Sequence, residues 1–206
     1  MKNLLSNIRK MRNDEIVGLA KNRFISEELQ LALVDLPYRN GHTHLLENSG
    51  LTAKVRDLLW SDRINSGYTY KSTLIANGFY INDPEKYWEL FRNYPSAWKR
   101  SPYRMLGSFV YHNTGRYWRD RNNLAQGAAH TPSELLNKIY DCFYCPKRKP
   151  QDESIVAMAS YYSASHQLEL FASHPNCPLE LAIKISTCGH NRAEQEAFRK
   201  IVELSK

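Results

Sequence analysis

One short pattern recurs five times along the chain. It reads GLAKNRFISEEL around Leu19, HLLENSGLTAKV around Leu45 and TLIANGFYINDPEKYWEL around Leu74. It returns as NLAQGAAHTPSELLNKI around Leu124 and ELFASHPNCPLELAIKI around Leu170. Each copy is an apolar helix end, a small-polar break, and a cap-like residue (Ser26, Thr52, Asn82, Thr131 or Pro178) that opens a second apolar stretch. A unit this short cannot bury its own apolar face, so repetition at about 25 to 30 residues predicts neighbours stacked on one another. The expected fold class is all-α: a right-handed α-helical repeat solenoid of about five units, with helical caps and two insertions.

The 206 residues are expected to form one helical-repeat domain. Residues 1–17 read as an N-terminal cap helix, with Leu4, Leu5, Ile8, Met11, Ile16 and Val17 spaced for one face. Repeats one to three occupy 18–94, and a basic aromatic insertion follows at 95–123. Repeats four and five occupy 124–191 and carry a second insertion at 143–167, made of the turn-rich CPKRKPQDES and a helix SIVAMASYYSA. Residues 192–206 read as a C-terminal cap helix with Ala193, Ala197, Phe198, Ile201 and Val202 on one side. Asn82 or Asp83 caps the third repeat's second helix, with Pro84 in its first turn, where a missing N–H does no harm.

LFASHPNCPLELAIKIS resembles the leucine-rich-repeat variant motif, a helical unit of the form L-A-x-N-P-x-T-P-x-x-L. The fourth repeat resembles it at Leu124, Ala125, Thr131, Pro132, Leu135 and Leu136. The first three keep the leading Leu and the Asn, as Leu19 and Asn22, Leu45 and Asn48, Leu74 and Asn77, but lack the prolines. The third also has an extra residue before Ile81. The resemblance implies short α-helices alternating with tighter turns, in a superhelix related to HEAT-type arrays. It implies no catalytic residue, because such arrays serve many functions. The iron–sulfur module that accompanies some members at the N-terminus is not carried over, since the N-terminal half here has no cysteine.

The net charge is +7, and nearly all the excess lies in one segment. Within RNYPSAWKRSPYRMLGSFVYHNTGRYWRDR stand Arg92, Lys99, Arg100, Arg104, Arg116, Arg119 and Arg121, against Asp120 as the sole acid. Interleaved with them are Trp98, Tyr103, Tyr117 and Trp118. Cations neutralise phosphates and release counterions, while aromatic faces stack bases, so nucleic acid is the first expected partner. Arg, Trp and Tyr are also the usual anchors of protein interfaces, which makes an acidic protein surface the alternative. A third alternative is a solvated loop whose aromatics pack on the scaffold.

Asp120 lies beside Trp118 between two arginines, which is chemistry suited to supporting a cationic sugar transition state. HEAT-like DNA glycosylases use such an Asp, but WRDR has no spacing specific to them, and a local ion pair is the plainer expectation. Cys142 and Cys145 have the spacing of a zinc knuckle or redox pair, and Cys177 and Cys188 would complete four thiolates. A zinc site normally repeats the short pair, so free thiols are expected and no metal or other cofactor is assigned. NSGYTYKST, from Asn65 to Thr73, offers Gly67 and Lys71 to a phosphate. It lacks the strand–loop–helix frame of a nucleotide site and reads as a linker between repeats two and three. His42 and His44 read as surface or helix-end residues.

There is no G-x-S-x-G elbow, no paired-carboxylate motif and no H-E-x-x-H. No apolar run approaches the roughly 18 to 20 residues a bilayer span needs. The N-terminal MKNLLSNIRKMRNDE is too polar for a signal peptide, so a cytoplasmic location with no membrane partner is expected. The expected function is non-catalytic binding of an anionic partner, with a regulatory adaptor or inhibitor on an acidic protein as the alternative and a HEAT-like DNA glycosylase as the third reading. Oligomeric state is left open by the sequence.

Overall fold

The computed structural model describes residues 6–36, 39–61, 67–94, 128–142 and 155–206. Every regular element among them is helical. In chain order they are α1 (Asn13–Lys21), α2 (Glu27–Val34), α3 (Arg39–Leu46), α4 (Ala53–Trp60), α5 (Gly67–Ala76) and α6 (Pro84–Asn93). A 3-10 turn (Ala128–His130), α7 (Ser133–Cys142), α8 (Ile155–Ser173), α9 (Leu179–Ile185) and α10 (Asn191–Leu204) follow. The chain divides into two compact units, residues 1–79 and 80–206, with the boundary inside the third repeat.

In the first unit the helices pack on one another. α1 packs on α3 and α3 on α5, while α2 packs on α4. Ile16, Ala20, Leu33, Leu45, Val55, Leu59 and Leu74 are all buried there. In the second unit α8, α9 and α10 pack on one another. Tyr140 of α7 meets Phe171 of α8 edge-on at 6.0 Å, and Lys184 of α9 pairs with Asp141 at 3.2 Å.

One hydrogen-bond pattern occurs at three of the sequence breaks. The Asn22 N–H bonds the Leu19 carbonyl at 3.0 Å, and the Ile25 N–H bonds the Asn22 carbonyl at 3.3 Å. The same two steps run from Asn48 to Leu45 and Leu51 to Asn48, and in the second unit from His174 to Phe171 and Cys177 to His174. The side chain at the centre of each break accepts from the backbone two residues on. Asn22 Oδ1 takes the Phe24 N–H at 3.0 Å, Asn48 Oδ1 the Gly50 N–H at 2.8 Å, and His174 Nδ1 the Asn176 N–H at 3.0 Å. These are Asx turns, and an imidazole nitrogen stands in for the amide oxygen in the third. The break after α5 is built differently. Gly78 has φ 79°, and the Gly78 and Phe79 N–H groups bond Ile75 and Leu74 carbonyls at 2.9 and 3.2 Å. That is a Schellman motif, which accommodates the extra residue of this repeat.

Successive breaks are tied by side-chain amides. Asn48 Nδ2 donates to the Ala20 and Asn22 carbonyls at 2.7 and 3.1 Å. Asn77 Nδ2 donates to the Leu46 carbonyl at 2.9 Å. In the second unit Asn176 Nδ2 reaches the Ala129 and Thr131 carbonyls at 3.3 and 3.0 Å. Buried Gln30 adds a tie in the forward direction. Its Nε2 donates to the Ile25 and Gly50 carbonyls, and its Oε1 accepts the Thr52 N–H at 3.0 Å. Helix ends expose backbone groups that must find partners, and these amides supply them from the next break.

Several elements differ from expectation. A single helix over 1–17 does not form: residues 9–12 turn, and α1 starts afresh with the Arg12 N–H held by Glu15 Oε2 at 2.7 Å. The expected linker is helical from Gly67 onward as α5. Ser26 caps α2, its Oγ accepting from the Leu29 N–H at 3.3 Å, whereas Thr52 holds the cap position of α4 without a side-chain cap bond. Asp83, rather than Asn82, precedes α6, and α7 begins at Ser133, one residue beyond Pro132. The helix of the second insertion and the leading helix of repeat five are one continuous α8. On α10 the buried face is Ala193, Ala197 and Lys200, while Phe198 and Val202 are more than half exposed.

Candidate functional site

Of the basic aromatic residues, Arg92 falls within the described structure. It lies exposed in the last turn of α6 and pairs with Glu85 on the same helix. Trp98, Lys99, Arg100, Tyr103, Arg104, Arg116, Tyr117, Trp118, Arg119 and Arg121 lie outside the described residues, as does Asp120. Arg92 therefore has a local counter-charge, and the segment's cationic character rests on the other six.

Cys145 also lies outside the described residues. Cys142 is half-buried, Cys177 and Cys188 are buried, and all three are free thiols. Among the described residues no three His, Cys, Asp or Glu side chains converge as a metal site. Burial pushes the Cys177 thiol up to about 11, a rise the nearby Lys200 ammonium opposes. Burial also raises Cys188, against a backbone hydrogen bond from His190. Metal coordination needs the thiolate, and these surroundings favour the thiol.

Lys71, expected to suit a phosphate, is buried with its Nζ 5.6 Å from the Trp60 ring centroid. It serves as a core cation on an aromatic face. His42, expected at the surface, is 7% exposed and bridges two elements. Its Nε2 lies 2.9 Å from the Val34 carbonyl and its Nδ1 3.0 Å from Tyr70 Oη. A carbonyl only accepts, so Nε2 carries the proton and, in the neutral ring, Nδ1 accepts from the tyrosine hydroxyl.

The second unit holds a polar cavity of about 220 Å³ between α8 and α10, lined among others by His166, Glu169, Glu196, Arg199, Lys200 and Glu203. Its charges are largely matched internally. Arg199 pairs with Glu196 at 3.0 Å, and Lys200 with Glu203 at 3.2 Å. Lys200, 8% exposed, also points its Nζ at the Pro175 carbonyl at 3.4 Å, so its ammonium closes the break before α9. Sequence reasoning did not single out Lys200 or Gln30. Their signal is a polar residue on an otherwise apolar helical face, which marks a buried hydrogen-bonding role.

These features define a protein whose described residues are all-helical, with polar breaks tied together by side-chain amides. No helix among the described residues is long and apolar enough to cross a membrane. No protein-family model, curated protein or solved structure matches the chain.

Proposed function

We propose that the chain is a non-catalytic helical-repeat scaffold that grips an anionic partner, nucleic acid first, through the basic aromatic segment 95–123. The right-handed solenoid and the kinship with leucine-rich-repeat-variant and HEAT-like proteins are part of this proposal. The observation that supports it most is the tied break, in which Asn48, Asn77 and Asn176 each bond the carbonyls of the break before. Breaks joined by side-chain amides to main-chain carbonyls form a stiff support, and insertions between repeats emerge on one face, often the binding one. The one insertion rich in cations is also rich in Trp and Tyr.

The test is affinity purification from the native host with and without nuclease. Nucleic acid should co-purify, and replacing Arg116, Arg119 and Arg121 with Glu should release it. Binding should fall steeply with salt, by a log–log slope of roughly −0.7 per phosphate contact on a single strand. A stoichiometric protein that survives nuclease treatment would replace this reading with an adaptor on an acidic protein surface. One observation favours that second reading: Leu179 with Ile183, and Phe198 with Val202, are exposed apolar pairs at helical spacing. Such surfaces commonly meet proteins.

A further inference from the structure

Two phenylalanine rings in the breaks of the first unit each have a guanidinium laid over them. Phe24 is 80% exposed, and Arg23 Cζ stands 4.6 Å from its ring centroid. Arg56 Cζ stands 5.5 Å from the Phe79 centroid, and Arg56 Nη1 donates to the Phe79 carbonyl at 3.2 Å. Both rings sit two residues past a break asparagine, Asn22 and Asn77. The same position in the intervening break is Gly50, whose backbone presses on the Arg23 carbonyl. The breaks thus present ring, glycine, ring in chain order, with an arginine at each ring.

We propose that this edge of the first unit is a binding site for single-stranded nucleic acid. A base stacks on the open face of Phe24, with Phe79 as a second stacking position. Arg23 and Arg56 supply donors to the phosphates, since a guanidinium has five N–H groups and can stack and hydrogen-bond at once. In the break between them, Gly50 adds no third side chain, its Cβ direction being closed off by the Arg23 carbonyl. An acidic peptide would use the cations, but its carboxylates carry no extended aromatic face to stack on an open ring, whereas every base has a π-face. This inference rests on the reading of the chain as a nucleic-acid binder. It assigns contact to residues far from 95–123, so the two can be tested apart.

The experiment is fluorescence anisotropy of a labelled oligo-dT strand with the intact chain. The variants are Phe24→Ala, Phe24→Trp, Arg23→Glu and the triple Arg116→Glu, Arg119→Glu, Arg121→Glu. Phe24→Ala should weaken binding about tenfold, and Phe24→Trp should restore it, because stacking tolerates any aromatic face. Arg23→Glu should reduce the magnitude of the salt slope by about 0.7, the share of one phosphate contact on a single strand. Phe24 is exposed, so thermal unfolding should not change in the alanine variant. Arg56 is left intact because it also holds the Phe79 carbonyl. Wild-type affinity in Phe24→Ala would overturn this site, and if the triple variant loses binding in that experiment the segment reading survives. Loss in Phe24→Ala with an unaffected triple variant would keep this site and discard the segment. A wild-type chain that leaves the strand unbound would end both.

Discussion

The Asn48 side-chain amide donates to the Ala20 carbonyl at 2.7 Å, across 28 residues of chain. The same nitrogen reaches Asn22, and the amide oxygen takes the Gly50 N–H, so one buried side chain joins two breaks. Asn48→Ala removes all three bonds and strands carbonyls at the end of α1. Buried unsatisfied groups cost about 1–3 kcal/mol each, so a loss of about 2–4 kcal/mol is expected in urea unfolding. Asn48→Asp should be worse, because a carboxylate would face two carbonyl oxygens. A loss under about 0.5 kcal/mol for Asn48→Ala would show that the tie is dispensable.

Gly50 and Gly18 should respond oppositely to alanine. A Cβ on Gly50 would lie 2.0 Å from the Arg23 carbonyl oxygen, and main chain cannot swing aside as a flexible side chain can. Overpacking of this kind costs about 1–3 kcal/mol or more. Gly18, exposed within α1, has nothing within 4 Å of the same position, so Gly18→Ala should stabilise by about 0.5–1 kcal/mol. Paired melting curves of the two variants check both signs.

His174 fills the slot that Asn22 and Asn48 fill in the first unit, accepting the Asn176 N–H as they accept theirs. His174→Asn should therefore keep the turn and lose only packing. His174→Ala should lose both and be less stable than the Asn variant by about 1 kcal/mol. Equal stabilities would mean that the ring acts through its volume alone.

The breaks were legible because their chemistry is local. An Asn followed by a small or turn-tolerant stretch forms an Asx turn whatever surrounds it, which is why Leu19–Asn22 and Leu45–Asn48 marked the right places. Long-range effects were not legible. Gly67 and the hydroxyls after it read as a linker, yet Lys71 finds the Trp60 face and its neighbours form α5. On α10 two apolar stripes exist, Ala193 with Ala197 and Phe198 with Val202, and periodicity cannot choose between them. The structure buries the alanines, which let helices approach closely, and leaves the larger pair outside. For the candidate site, composition located the cations of 92–121, but nothing in the sequence showed that Arg92 would pair with Glu85.

Alkaline pH should weaken the fold through Cys177. Its thiol is raised from 9.0 to about 11 by burial, so the folded chain keeps a proton that the unfolded chain gives up. Stability is fully present below the ordinary thiol range and is lost as pH climbs from about 9 toward 11, by on the order of 2 kcal/mol. Cys188 contributes in the same direction. Tyr87, raised from 10.0 to about 12 by burial, extends the loss at higher pH. Urea midpoints measured at pH 8 and pH 10.5 should diverge in the wild type and lie closer together in Cys177→Ala, with the remaining gap left to Cys188 and Tyr87. An unchanged gap in that variant would assign the effect to other groups.

The contact between Gly50 and the Arg23 carbonyl has a consequence for how such a chain can change over time. Where two coils of a protein meet through side chains, their spacing drifts with every exchange of a large residue for a small one. Here the breaks at Asn22 and Asn48 meet main chain to main chain at Gly50, so their spacing there is a property of the peptide unit itself. The residues displayed on either side, Phe24 among them, can then be exchanged without altering that spacing.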